Sequence, residues 1–209
     1  MKTMLIACLA LVCLPAQQGT RLVEPQQVFV LAGNGKECEL RIGEPVVLPK
    51  EFENQKVTLR VRPTRLLDYL GLRLRYPQNF SWYYESKESG GEFVTLSGRT
   101  TVLQLSFYND RIAANSLVES SAKAIADKLG PKAVIRTCVL IGNANRVLEG
   151  KQIEITASGQ TSTQDVFALR LGDLVVSIVV QDTLTESGKR DPETEALLKI
   201  LSDSLEWPK

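Results

Sequence analysis

The architecture follows from residues 165–181, DVFALRLGDLVVSIVVQ. Gly172-Asp173 is a two-residue loop of the kind that closes a tight β-hairpin, so it predicts antiparallel strands at Asp165 to Leu171 and Leu174 to Gln181. The second strand is apolar on both of its alternating faces, through Val175, Val176, Ile178, Val179 and Val180. Such a strand is typical of the centre of a sheet that is covered on both sides.

Short β-prone runs separated by turns precede this hairpin. The predicted strands are Leu70 to Tyr76, Phe80 to Glu85, Glu92 to Ser97, Thr101 to Tyr108, Lys132 to Ile141 and Lys151 to Ala157. In the first of them leucines alternate with Gly71 and two arginines, the period of a strand with one buried face. The short connections between these runs favour antiparallel pairing.

Two helices are predicted by apolar residues at helical spacing. The first runs from about Ala113 to Leu129 and is stopped by Gly130-Pro131. The second begins after Asp191 as N-cap, with Pro192 at the first helical position. The order strands, helix, strands, helix predicts an α+β layered architecture around one antiparallel sheet.

The first third of the chain is set apart from this pattern. Residues 17–66 are predicted to form a polar lead and a small β-rich N-terminal extension, and the α+β domain occupies residues 67–209. The β-prone runs of the extension are Val28 to Ala32, Glu37 to Ile42, Val46 to Leu48 and Lys56 to Arg62.

The order of elements resembles the PsbP and Mog1-like superfamily over residues 68–208. The resemblance is carried by LRYPQNFSW at 74–82, the Leu148-Glu149-Gly150-Lys151 turn, the Gly172-Asp173 hairpin and the final helix ending in SLEW. It implies an α-β-α sandwich, an antiparallel sheet flanked by helices on both faces. It also implies a non-enzymatic role, because relatives mostly act as assembly factors or partner-binding modules. No binding residue is transferred from the superfamily.

The N-terminus predicts export. Met1-Lys2-Thr3 is followed by an apolar run from Met4 to Leu14 and by Pro15-Ala16, the pattern of a secretory signal peptide over residues 1–16. Its apolar run is too short to span a bilayer, so we expect no transmembrane segment in the mature chain. The alternatives are a buried N-terminal helix and lipoprotein anchoring through Cys13. The predicted location is the periplasm or the extracellular space.

Two cysteines, Cys38 and Cys138, remain after cleavage. In an oxidising compartment this pair is a candidate disulfide, which would contribute about 4.7 kcal/mol in the chain-entropy model. The alternative is a pair of separate buried thiols.

Composition limits the classes of function. The 209 residues include 25 lysines and arginines against 24 aspartates and glutamates, and the resulting charge of +1 argues against nucleic acid as a partner. The chain has no histidine, which removes the usual general base and the commonest metal ligand. We therefore predict neither a catalytic residue nor a metal or cofactor. An enzyme would need carboxylates such as Asp165, Asp173 and Asp182, or Lys151, which are scattered in the sequence.

The densest basic cluster offers a candidate binding site. Alternation along two predicted strands places Arg60 with Arg62, and Arg73 with Arg75, on one face of each strand. Four guanidinium forks on paired strands would suit a carboxylate or a phosphate. The alternative is an exposed strand face balanced by nearby acidic residues.

These observations predict an exported, non-enzymatic binding or assembly module. Its partner would be a protein or a small anionic ligand. The alternative function is a carboxylate-dependent secreted hydrolase, for which a deep cleft holding two carboxylates with raised pKa values would be the evidence.

Overall fold

The computed structural model of the protein describes residues 22–87, 91–109 and 112–208. Of these residues 50% are in strands and 19% in helices. The strands in the described ranges are β1 (Val28–Gly33), β2 (Lys36–Arg41), β3 (Thr58–Val61), β4 (Thr64–Tyr69), β5 (Leu72–Pro77), β6 (Ser81–Lys87), β7 (Gly91–Ser97), β8 (Val102–Tyr108), β9 (Val134–Ile141), β10 (Val147–Ala157), β11 (Gln160–Leu171) and β12 (Leu174–Thr183). The helices are α1 (Ala114–Leu129) and α2 (Pro192–Ser204), and single 3-10 turns lie at Lys50–Phe52 and Asn143–Asn145.

The largest sheet has seven antiparallel strands in the order β6-β7-β8-β12-β11-β10-β9. Its centre is β12, as the sequence predicts, and Leu171 faces Leu174 across the Gly172-Asp173 turn. Both faces of β12 are buried, since Val175 and Val176 point to opposite sides and neither is exposed to solvent. The hairpin of residues 165–181 is thus confirmed as the middle of the sheet.

The two faces of this sheet are covered by different elements. Helix α1 packs on one face, where Val118 contacts Ala168 and Val175. The opposite face carries the main core, which is closed by α2 together with the separate β4–β5 hairpin. The residues that these two elements contribute to that core are Leu67, Leu72, Leu74, Tyr76, Leu197 and Leu201, and Leu205 joins them directly after α2.

The prediction of a helix-flanked α+β sandwich is wrong, because strands dominate the described residues and form three antiparallel sheets. The sequence pattern does not predict β4, and the β4–β5 hairpin occupies part of the layer that was expected to consist of helices. The β4–β5 turn is Leu70-Gly71, with φ of 52° and 88°. Leucine rarely adopts positive φ, and this turn lacks the Asn-Gly or Asp-Gly signal that normally marks such a hairpin.

The N-terminal extension forms its own three-stranded antiparallel sheet in the order β2-β1-β3. The three strands are confirmed, but the run Val46 to Leu48 is exposed and is not a strand. The predicted boundary at residues 66 and 67 falls inside β4. The signal peptide and the lipid-anchoring alternative at Cys13 lie outside the described residues. No helix in the described ranges has the length and apolar character needed to cross a membrane.

Helix α2 starts as its sequence predicts. The Asp191 side chain accepts a hydrogen bond from the Glu193 N–H at 2.8 Å, and Pro192 opens the first turn. Glu193 then binds the turn between β7 and β8, accepting from the N–H groups of Thr100 at 2.8 Å and Thr101 at 3.1 Å. This contact fixes the N-terminus of α2 against the large sheet.

Candidate functional site

Three of the four predicted arginines line one open groove of about 360 Å³, which we call the arginine groove. Arg60 and Arg62 reach it from the end of β3, and Arg75 reaches it from β5. Its lining consists of Val30, Glu37, Arg60, Arg62, Pro63, Thr64 and Arg75. The groove therefore joins the N-terminal sheet to the β4–β5 hairpin.

The pairing behind this site differs from the predicted one. Strand β3 pairs with β1 and strand β5 pairs with β4, so the two pairs of arginines do not lie on neighbouring strands. Arg73 falls into an adjacent depression of about 150 Å³, which Arg75 also lines. The prediction of four forks on one pair of strands is wrong, and Arg75 connects the two depressions.

Acidic neighbours balance most of these charges. Arg60 pairs with Glu37, and Arg62 pairs with Glu39, across the central strand β1. Arg73 lies 3.0 Å from the Asp68 carboxylate and 3.4 Å from that of Glu206. Three of the four arginines thus fit the alternative interpretation of the sequence, in which acidic residues balance the charges of an exposed strand face.

Arg75 is the exception. Its guanidinium makes no ion pair with any residue in the described ranges, while its backbone N–H donates to Ser204 Oγ at 2.9 Å. Alternation along β5 turns Leu74 and Tyr76 into the core and Arg75 away from it. Among the described residues, Arg75 is therefore a half-buried cation of the arginine groove that forms no ion pair, although the Asp203 and Glu206 carboxylates line the adjacent depression with it.

The four acid and base candidates of the enzyme alternative are placed as follows. Asp165 on β11 and Asp182 on β12 lie on the same face of the large sheet, both 3% exposed. Asp165 pairs with Arg190 and accepts from Gln152 Nε2 at 2.9 Å. Asp173 is exposed in the hairpin turn, and Lys151 lies 3.1 Å from Glu119.

Asp182 is a buried carboxylate without a direct hydrogen bond. Burial raises its pKa, and the weaker opposing influences are the Thr194 hydroxyl, the Asp191 and Thr183 N–H groups and Arg190. These donors fall outside hydrogen-bonding geometry, since neither carboxylate oxygen of Asp182 has a partner. Because Asp165 and Asp182 are both closed off from solvent, a substrate does not reach them, and the arrangement is not the open cleft expected of a hydrolase.

The two cysteines lie on different sheets. Cys38 on β2 faces Leu31 in the N-terminal sheet, and Cys138 on β9 packs against the main core. Both are free, half-buried thiols, the second of the two alternatives from the sequence. Burial raises the pKa of Cys138 to about 12, which disfavours the reactive thiolate. In the part of the chain that the structure describes, no cluster of acidic or thiol side chains has an arrangement that would hold a metal ion.

No protein-family model matches the chain, and no curated protein matches it. The resemblance to the PsbP and Mog1-like superfamily stays a prediction from the order of elements.

Proposed function

We propose that this chain is an exported, non-enzymatic binding or assembly module that holds a carboxylate or phosphate of its partner in the arginine groove. The observation that carries the proposal is the guanidinium of Arg75, which forms no ion pair within the described residues and shares the groove with Arg60 and Arg62. A guanidinium presents donors in a rigid fork that matches the oxygens of carboxylates and phosphates. An anion in the groove would be the missing partner of Arg75.

The ion pairs around the groove do not prevent such binding. The Arg60 and Glu37 side chains are 55% and 51% exposed, so their pair contributes only about 0 to 1 kcal/mol. A charge-assisted hydrogen bond to an incoming anion is worth about 1.5 to 3 kcal/mol. Glu37 can therefore turn to solvent while Arg60 joins Arg75 on the ligand.

The geometry at Asp165 and Asp182 does not support the hydrolase alternative. Both side chains are buried, and Asp165 is already paired with Arg190. Export rests on the signal-peptide pattern of residues 1–16.

Calorimetric titration of the full chain with inorganic phosphate and with a hexaglutamate peptide tests the proposal. Arg75→Ala should weaken binding of at least one of these anions about tenfold, the equivalent of 1.4 kcal/mol. Arg41→Ala is the matched control, because Arg41 is an exposed arginine of β2 that does not line the groove. Equal binding by the native chain and Arg75→Ala, or no binding of either anion by the native chain, would contradict the proposal.

A further inference from the structure

The outer edge of β9 is an unpaired strand edge with an apolar surface. Strand β9 ends the seven-stranded sheet, and in the described residues it pairs only with β10. Its side chains at Val134, Ile135, Val139 and Ile141 are between 45% and 58% exposed. Val147, which lies opposite Ile141 on β10, is 57% exposed and extends the surface of Ile135, Val139 and Ile141, whereas Val134 lies on the other face of the sheet.

The direction of the backbone groups along β9 follows from one hydrogen bond. The Gly142 N–H donates to the Arg146 carbonyl at 2.7 Å, in register with the β9–β10 pairing. Backbone groups alternate in direction along a strand, so even-numbered positions of β9 bond to β10. The N–H and C=O groups of Ile135, Thr137, Val139 and Ile141 therefore point outward.

Within the described residues, most of this edge lacks the features that protect strand edges in monomeric proteins, although the Asn143 N–H just past its end donates to the Leu205 carbonyl at 2.9 Å. Such edges are usually protected by lysine, proline, inward-pointing charges or a bulge. The sequence VIRTCVLI of β9 contains neither lysine nor proline, and its register with β10 is continuous. Its one charged residue, Arg136, lies 3.1 Å from Glu154 of β10. The opposite edge of the sheet, β6, ends in Glu85 and Lys87 by contrast.

We propose that β9 is a dimerisation strand, which pairs antiparallel with β9 of a second copy of this chain. The twofold axis would pass beside Cys138, the centre of the four outward-pointing residues. Ile135 then lies opposite Ile141 of the second copy, and Thr137 lies opposite Val139. All four outward residues of each chain find a partner, which gives about eight new backbone hydrogen bonds, two for each pair.

The second copy is the occupant because the edge is complementary to itself. In this register apolar residues face apolar residues or threonine at every outward position. The two Arg136 residues are offset by four positions, about 14 Å along the strands, so their charges do not meet. Isologous pairing of one surface patch is also the commonest form of oligomer symmetry.

The joined sheet also has room for both copies of α1. This helix packs on Ile153 of β10 and Val166 of β11, one and two strands inside the edge. The two β10 strands would be three strand spacings apart, about 14 Å, which exceeds the 8 to 10 Å between packed helices. Val139 and Ile141 of both copies would line the sheet surface between the two helices.

Sedimentation equilibrium of the full chain tests the proposal. The native chain should have about twice the mass of one chain, and Val139→Lys should sediment as a single chain. Tyr83→Lys is the control and should remain a dimer, because Tyr83 is 61% exposed on the opposite edge strand. A native chain that is monomeric at about 100 µM, or a Val139→Lys variant that remains dimeric, would overturn the proposal.

A second variant and an exchange measurement separate edge pairing from other effects. Thr137→Pro removes only an outward N–H, which proline on an edge strand tolerates, and should also give a single chain. Hydrogen exchange by NMR should be slowed at the outward amides of Ile135, Thr137, Val139 and Ile141 in the native dimer. The same amides should exchange at least tenfold faster in Val139→Lys. A native dimer whose outward β9 amides exchange as fast as in Val139→Lys would exclude this interface.

Discussion

The Arg75 N–H donates to Ser204 Oγ at 2.9 Å, which ties β5 to the end of α2 beside the arginine groove. The same hydroxyl donates to the Ile200 carbonyl at 2.6 Å, so Ser204 bridges the helix and the strand. The Arg75 backbone is thereby fixed, while its guanidinium forms no ion pair with the residues that the structure describes. Substitution of Arg75 should therefore affect binding, and substitution of Ser204 should affect stability.

Arg75→Ala should leave stability almost unchanged. Its guanidinium has no ion pair to lose within the described residues, so we expect a change of about 0.5 kcal/mol or less. Ser204→Ala removes the acceptor of the Arg75 N–H and should cost about 1 kcal/mol. Urea unfolding of both variants measures these changes, and a loss at Arg75→Ala as large as at Ser204→Ala would show that Arg75 is structural.

Glu193→Ala should destabilise the protein by about 2 kcal/mol. Its carboxylate accepts from the N–H groups of Arg99, Thr100 and Thr101, which the substitution leaves without a partner. Glu195→Ala is the control, since Glu195 lies in the same helical turn and is exposed. Equal midpoints of urea unfolding for the two variants would contradict this role.

The Glu193 contact also predicts a loss of stability in acid. Burial raises the pKa of Glu193, but the hydrogen bonds from Thr100, Arg99 and Thr101 outweigh it and leave the pKa below its ordinary value. A lowered pKa contributes stability that is present above the ordinary value and is lost as pH falls below about 4. The gap in stability between the native chain and Glu193→Ala should therefore narrow between about pH 5 and pH 3.

Asp182 predicts the opposite dependence on pH. Burial raises the pKa of this carboxyl, so the folded chain keeps a proton that the unfolded chain has released. Stability at this position therefore falls as pH rises from about 4, the ordinary value, through the raised pKa. As the pH rises over that interval, the free energy of unfolding of Asp182→Asn should increase relative to that of the native chain. Asp173→Asn, at an exposed turn, is the matched control.

Leu70→Asn should stabilise the β4–β5 hairpin. Leu70 is 50% exposed and has a φ of 52°, a conformation that costs an ordinary side chain about 1 to 2 kcal/mol. Asparagine tolerates this conformation, and Asn-Gly is the preferred pair for a two-residue hairpin. We expect an increase of about 1 kcal/mol in the free energy of urea unfolding, and a decrease would contradict the strain at Leu70.

Local signals made part of the fold predictable. Asp191-Pro192 marks the start of α2, and Gly172-Asp173 marks the hairpin at the centre of the sheet, because each pair satisfies a backbone requirement of its own position. In the Leu70-Gly71 turn, by contrast, Leu70 has a positive φ, which leucine rarely adopts. Local signals therefore do not predict β4. They also do not predict that the β4–β5 hairpin takes the place of part of the expected helical layer.

The arrangement of the site depended on contacts between distant segments. Alternation correctly placed Arg73 and Arg75 on one face of β5, but the groove also needs β3, which belongs to a different sheet. The proximity of Asp165 and Asp182 likewise depends on the register of β11 with β12. Strand order and register are set by packing across the whole chain, and no local pattern specifies them.

Labelling of arginines with phenylglyoxal, followed by mass spectrometry, tests the arginine groove most directly. The full chain is labelled with and without saturating phosphate or hexaglutamate, whichever binds in the titration. We predict that the ligand protects Arg75 and leaves Arg41 as reactive as before. Ligand binding with Arg75 labelled at an unchanged rate would contradict the account.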